Sequence, residues 1–184
     1  MNETELYDYS FQEFIALPNE DREMYKAYGL HAKAKNLTDK DVMEWQWGKV
    51  KQIQDIINQP SLSWENLTEI VTIALDKTRE DVLEMRWHQV LKFYNYVVAA
   101  IKLINEKEQQ LTYEPDAKEL NAGVEQFSQF GWFGTLYRLS GGDPLKYEAI
   151  GQQPYSVIFA TLLLQKTDIE YNKALMRQNK ISDV

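Results

Sequence analysis

Cysteine is absent from this 184-residue chain. That excludes disulfides, thiolate nucleophiles and cysteine-ligated metals. Histidine occurs only twice, at His31 and His88. Eight glycines and five prolines leave little sequence for linkers. No apolar run is long. The longest, near Val157–Leu164, falls far short of the roughly 20 residues that span a bilayer as a helix. The opening Met-Asn-Glu-Thr-Glu-Leu has neither the basic cluster nor the apolar stretch of a signal peptide. The glycosylation sequons at Asn2, Asn36 and Asn66 therefore read as chance matches.

Positive charge is scarce too. Twenty Lys and Arg face 28 Asp and Glu, a net charge of −8. The excess is concentrated early: Glu3, Glu5, Asp8, Glu13, Glu20, Asp21 and Glu23 stand against Arg22 alone before Tyr25. Phosphate binding needs clustered Lys and Arg, so nucleic acid is not expected as a main partner. An anionic membrane is disfavoured for the same reason. Apolar residues make up 44% of the chain, an ordinary share for a globular protein. Five Trp and eleven Tyr point to a core or an interface rich in rings.

One pattern occurs twice. Residues 38–50 read Thr-Asp-Lys-Asp-Val-Met-Glu-Trp-Gln-Trp-Gly-Lys-Val, and residues 78–90 read Thr-Arg-Glu-Asp-Val-Leu-Glu-Met-Arg-Trp-His-Gln-Val. Thr, Asp, Val, Glu, Trp and Val return in register 40 residues apart. Thr38 with Asp41, and Thr78 with Asp81, have the spacing of a capping box. Leu37 and Val42 occupy staple positions in the first copy; Lys77 replaces the first of them in the second. Each copy predicts a capped helix, the first ending at Pro60 and the second running to about Gln110 as the longest element. Ile150, Tyr155 and Ile158 repeat the spacing of Val82, Trp87 and Val90 without the cap.

The remaining chain also reads as helix. Tyr7–Leu17 forms a short amphipathic helix stopped by Pro18, and Asn19 caps another through about Lys33. Ser63 caps a helix through Leu75. Leu111–Glu119, with Pro115 inside it, interrupts the pattern. Ala122–Leu139 is apolar on nearly every side and predicts a central helix, with Gly131 and Gly134 admitting a neighbouring backbone. Ser140-Gly-Gly-Asp-Pro144 is a helix stop. A short helix, Leu145–Ile150, follows, and Pro154 suits the first position of the last helix. No segment alternates convincingly over six residues. The expected fold is all-α: a compact multi-helix bundle with a duplicated capped helix, one long central helix and little or no β structure. An N-terminal region, 1–112, carries the duplication, and a C-terminal region, 113–184, packs on it as one continuous domain.

Reactive constellations are missing. Glu84 and His88 stand four apart, a spacing that chelates metal on one helix, but His31 beside Ala32 and Lys33 offers no facing pair, and His88 reads as a surface or interface residue. Asp41 with Glu44 and Asp81 with Glu84 fit the positive end of a helix dipole. No Gly-x-Ser-x-Gly is present, and Ser140-Gly-Gly-Asp143 lacks the strand and Gly-Lys-Ser/Thr of a phosphate loop. No catalytic residue, metal or cofactor is therefore assigned, and no enzymatic activity is expected. The aromatic residues remain. Excess Trp, Tyr and Met suits recognition of apolar helices, and acidic charge suits a basic amphipathic partner. Trp45, Trp64, Trp132 and Phe133 are the candidate partner-binding residues. Trp45 stands out because Met85 replaces it in the second copy.

Further along, Gly123-Val124, Phe127-Ser-Gln-Phe-Gly131, Leu136-Tyr-Arg-Leu139-Ser-Gly-Gly-Asp143-Pro-Leu-Lys-Tyr147-Glu, Pro154-Tyr155-Ser-Val157 and Glu170-Tyr171-Asn-Lys173 form a cadence. With Asp-Val-Leu-Glu-Met-Arg-Trp at 81–87, it resembles the tail-assembly chaperones of tailed bacteriophages over roughly residues 80–175. The first 35 residues fall outside this resemblance. It implies a non-enzymatic role in virion assembly, with a helical tail protein as partner and the host cytoplasm as the place of action. A structural virion component, such as a connector, portal-associated or internal protein, is the alternative. A homo-oligomer is compatible with either.

Overall fold

The structure is a computed structural model that describes residues 8–29, 41–61 and 63–182. Among the described residues it is all-α, with ten α-helices, a few 3-10 turns and no strand. The helices are α1 (Phe11–Ala16), α2 (Asn19–Gly29), α3 (Trp47–Ile57), α4 (Trp64–Leu75), α5 (Arg79–Glu84), α6 (Trp87–Glu108), α7 (Ala117–Asn121), α8 (Gly131–Leu139), α9 (Tyr147–Gly151) and α10 (Tyr155–Ser182). Packing divides the chain into two compact units. One is Met1–Val42 with Lys49–Lys102; the other is Met43–Gly48 with Leu103–Val184.

Local chemistry sets several of the helix starts. Capping boxes open four of them: Ser10 with Glu13 at α1, Ser63 with Asn66 at α4, Thr78 with Asp81 at α5 and Asp116 with Glu119 at α7. In each, the cap oxygen accepts from the N3 amide while the N3 side chain accepts from the cap amide, so two orphan donors are satisfied together. Asp76 ends α4 with φ of 54°, a left-handed turn that a short polar side chain tolerates. Its carboxylate lies 2.6 Å from Lys49. Thr38 and Leu37, the cap and staple expected for the first copy, lie outside the described residues.

The repeat differs from the continuous helices expected of it. The first copy makes a 3-10 turn, Val42–Glu44, and the second makes α5; each then breaks for two residues before a new helix begins at Trp47 or Trp87. The reason is geometric. Val82 and Trp87 are five residues apart, and in an unbroken helix that spacing turns the face by about 140°. The break resets the register, so that Val82, Trp87 and Val90 are all buried, as are Val42, Trp47 and Val50.

Each break is held by a two-residue antiparallel bridge. Ser10 pairs with Arg86, and Gln46 pairs with Pro154. In the first pair the Phe11 amide donates to the Met85 carbonyl at 2.7 Å and the Trp87 amide donates to the Tyr9 carbonyl at 3.2 Å. In the second the Trp47 amide donates to Gln153 and the Tyr155 amide to Trp45, both at 2.8 Å. The bonds use the amide after and the carbonyl before each paired residue. Pro154, which has no N–H, therefore costs nothing there. It precedes the last helix rather than occupying its first position. Tyr155 thus stands where Trp47 and Trp87 stand, and Phe11 is a fourth instance. All four rings are buried. Leu6, Phe11 and Phe14 share the spacing of Val82, Trp87 and Val90, although Leu6 lies outside the described residues.

In the first unit, Phe14 stacks on Trp87 at 4.7 Å and meets Trp64 edge-on at 5.6 Å. Ile53, Ile70, Val71, Val97 and Ile101 fill the surrounding core. In the second, Trp47 meets Trp132 edge-on at 5.6 Å. Gly48 lies against Gly151 so closely that a Cβ at Gly48 would sit 3.2 Å from the Gly151 carbonyl oxygen. That is the backbone approach that was expected at Gly131 and Gly134. Nothing lies within 4 Å of a Cβ at Gly131, whose need for glycine comes from φ of 49°, and a Cβ at Gly134 meets only ordinary contacts. The longest helix is α10, 28 residues against 22 for α6. Lys173 fastens it to the 113–119 segment: its Nζ lies 2.8 Å from Glu119 and 3.7 Å from Asp116, and 4.5 Å from the centre of the Tyr113 ring.

Two outcomes follow. Gly48→Ala lowers stability by about 1–3 kcal/mol through overpacking against backbone, whereas Gly134→Ala raises it by about 0.5–1 kcal/mol through helix propensity; urea unfolding of both variants checks this. His88 is 6% exposed. Burial, then Arg86 and Lys92, hold its imidazole below the ordinary 6.5. Below that value the unfolded chain binds a proton that the folded chain resists, so stability falls as pH drops from 7 towards 5. His88→Gln flattens that window in unfolding curves. The loss below pH 4.5 remains, because hydrogen bonds from Ser10 and Thr78 hold Glu13 and Asp81 below their ordinary values.

Candidate functional site

Exposed apolar side chains are unevenly distributed between the two units. Among the described residues, fourteen large hydrophobic side chains are exposed, and thirteen of them belong to the second unit. Only six of the 25 buried hydrophobic residues belong to it. Scattered exposed apolar residues are normal on any protein, whereas a concentration of them makes a candidate interaction surface.

The densest part is built on α8. A 3-10 turn, Val124–Phe130, precedes it between Gly123 and Gly131, both with positive φ. Phe130 ends that turn, and Phe133 and Tyr137 follow on α8, four apart on one helical face. All three rings are in water. They are 55%, 54% and 58% exposed. Phe127, three residues before Phe130, is 68% exposed. Leu136 turns inwards and is buried. Trp132 lies between the two faces: half-buried, edge-on to Trp47 and stacked on Phe133 at 4.5 Å. After α8, Gly141 and Gly142 adopt left-handed conformations, and the Gly142 amide donates to the Tyr137 carbonyl at 2.9 Å. This is the helix stop read from Ser140-Gly-Gly-Asp143. A Cβ at Gly142 would lie 3.2 Å from Tyr137 Oη, so the turn lets that phenol lie close.

A second stripe runs along α10. Val157, Leu164 and Tyr171 recur every seven residues and all three are exposed, with Leu175 four beyond. The first turn of the same helix is anchored instead. Tyr155 is buried and its hydroxyl lies 2.7 Å from Glu108 Oε1. Burial and that carboxylate push the Tyr155 phenol far above its ordinary range.

The four candidate contact residues have different fates. Phe133 is exposed, and Trp132 lies directly against it. Trp45 is 5% exposed, so the expectation of an exposed ring there is corrected: it adjoins the bridge, where its carbonyl accepts from the Tyr155 amide, and its indole lies in the core. Trp64 belongs to the first unit, half-buried against Phe11 and Phe14, with the Arg22 guanidinium 5.7 Å from its ring centre. Phe127, Phe130 and Tyr137 were read as parts of a central helix from Ala122 to Leu139 and are instead exposed. The clue was the pair of glycines, Gly123 and Gly131, which bound a separate turn.

Glu84 and His88 do not share a helix. Glu84 ends α5 and His88 is the second residue of α6, with the bridge between them. His88 is buried rather than a surface residue. Among the described residues no three His, Cys, Asp or Glu converge as a metal site, and no helix is long and apolar enough to cross a membrane. No known protein family, curated protein or solved structure matches the chain.

Truncating a buried ring and an exposed one separates structural from surface roles. Trp45→Ala costs about 3–5 kcal/mol of stability, whereas Phe127→Ser stays within about 0.5 kcal/mol. Denaturant unfolding reads both, and binding of a hydrophobic dye to the folded protein drops for Phe127→Ser.

Proposed function

We propose that this protein is a non-enzymatic assembly factor of a tailed phage, tail-assembly-chaperone-like, that holds apolar helical segments of a tail protein on its second unit. The observation that carries the reading is the concentration of thirteen exposed large hydrophobic side chains there. Water-exposed rings at helical spacing suit the apolar face of an incoming helix. Phe127, Phe130, Phe133 and Tyr137 are the contact residues, and Trp132 backs Phe133. A net charge of −8 favours a partner helix with basic residues on its flanks. The phage assignment rests on the sequence resemblance over residues 80–175.

Co-expression with a tape-measure protein is the test. The expected result is a soluble complex that co-purifies, and its loss in the triple variant Phe127→Ser, Phe130→Ser, Phe133→Ser while circular dichroism stays unchanged. A triple variant that retains the partner removes the proposed surface. Mass spectrometry of mature particles distinguishes the alternative, since a structural component is present at fixed copy number and a chaperone is not.

A further inference from the structure

α10 carries apolar side chains on two opposite faces, and its own unit uses one of them. Tyr155 and Ile158 are buried, the Lys166 ammonium donates to the Gln110 carbonyl at 2.9 Å, and Lys173 reaches Glu119 at 2.8 Å. These four residues mark the side that faces the unit. On the other side Val157, Leu164 and Tyr171 recur every seven residues, and Ala160, Thr167 and Ala174 each follow one of them by three. All six are exposed. Alternate steps of three and four over residues 157–174 line them up as one seam about 27 Å long. A strict seven-residue repeat keeps such a seam against a second helix in a shallow left-handed supercoil. The Thr167 hydroxyl is no obstacle to burial, because its Oγ1 already donates to the Leu163 carbonyl at 2.9 Å within the helix.

The sizes along the seam indicate what covers it. A large side chain alternates with a small one: Val157, Ala160, Leu164, Thr167, Tyr171, Ala174. In a parallel pair each position meets its own copy, so Tyr171 would press on Tyr171 while Ala174 faced Ala174 across a gap. In an antiparallel pair the two positions of the repeat meet each other, and large falls on small. One register does this for all six residues. Val157 faces Ala174 of the second copy, Leu164 faces Thr167 and Tyr171 faces Ala160, with a two-fold axis passing between Gln165 and Lys166. The helix is thus complementary to itself reversed, which is the condition for a closed two-fold contact. With the exposed Leu175 beside it, the seam offers roughly 600 Å² from each copy, so a pair reaches the lower end of specific interfaces and associates weakly. We propose that the outer face of α10 joins two copies of this chain as an antiparallel homodimer through this seam. The seam is separate from the exposed rings of α8 and does not depend on the reading given to them.

The test is the association of the full chain at rising concentration, read by sedimentation velocity. A monomer–dimer equilibrium in the micromolar range is expected. Leu164→Glu brings two carboxylates together near the two-fold axis and is expected to weaken the dimer roughly a hundredfold or more. Circular dichroism stays unchanged, because Leu164 is exposed in the single chain. The triple variant Phe127→Ser, Phe130→Ser, Phe133→Ser is expected to dimerise as the unaltered chain does, which separates this seam from the α8 surface. Orientation is read by cross-linking in a chain otherwise free of cysteine. A mixture of a Val157→Cys chain and an Ala174→Cys chain forms a disulfide between the two on mild oxidation. A Val157→Cys chain alone does not, since its two sulfurs lie about 25 Å apart along the antiparallel pair. A chain that stays monomeric to millimolar concentration, a dimer that Leu164→Glu leaves intact or that the α8 triple variant abolishes, or cysteines that link position 157 to itself rather than to 174 overturns the proposal.

Discussion

A helix that starts in the middle of a folded chain has backbone amides with no intrahelical carbonyl to bond. This protein meets that constraint by pairing its helix starts. The amides of Phe11 and Trp87, and those of Trp47 and Tyr155, donate to carbonyls on each other's approach segments. Each pair satisfies two donors that would otherwise be buried and unpaired, a costly state inside a core. The extended residues at the bridge also turn the next side chain inwards, which is why four aromatic rings occupy equivalent buried positions. The breaks in the repeat and the buried rings that follow them accompany this arrangement.

The two units use the arrangement unequally. In the first, the paired starts sit within a large apolar core contributed by α3, α4 and α6. In the second, the corresponding core is small, and many of its apolar residues remain in water along α8 and α10. Lys173 with Glu119 and Asp116, and Tyr155 with Glu108, secure α10 through polar contacts instead of broad apolar burial. Such pairs fix geometry more than they add stability. The apolar surface left over is the feature on which the proposed protein-binding role rests.

Much of the fold was legible in the sequence. Ser63, Thr78 and Asn19 mark helix starts, Ser140-Gly-Gly-Asp143 marks a stop, and the absence of alternation identifies an all-α chain. The twin pattern and its echo at Ile150, Tyr155 and Ile158 identify equivalent positions, but apolar periodicity alone made one helix of each copy. A spacing of five between Val82 and Trp87 is the sign of a break, and it is visible once a single helical face is demanded of both residues. Gly48 was legible only as the residue that replaces His88 in the other copy, because the need for it comes from Gly151, 103 positions away. The site was legible in part. Phe133 and Trp132 adjoin as their neighbourhood in sequence implies, while Trp45, whose variability between copies suggested a surface role, is buried beside its bridge. Whether a tryptophan faces water depends on long-range pairing, and composition carries no record of that.

The pairing order has a consequence for synthesis. Ser10 and Arg86 are 76 positions apart, and Gln46 and Pro154 are 108 apart, so the two loops interleave. Closing so long a loop is an entropic cost met before its contacts form. On the ribosome, Trp47 has no carbonyl to receive its amide until more than a hundred further residues have emerged. The unit whose rings stay in contact with water is thus also the last to acquire its own backbone partner.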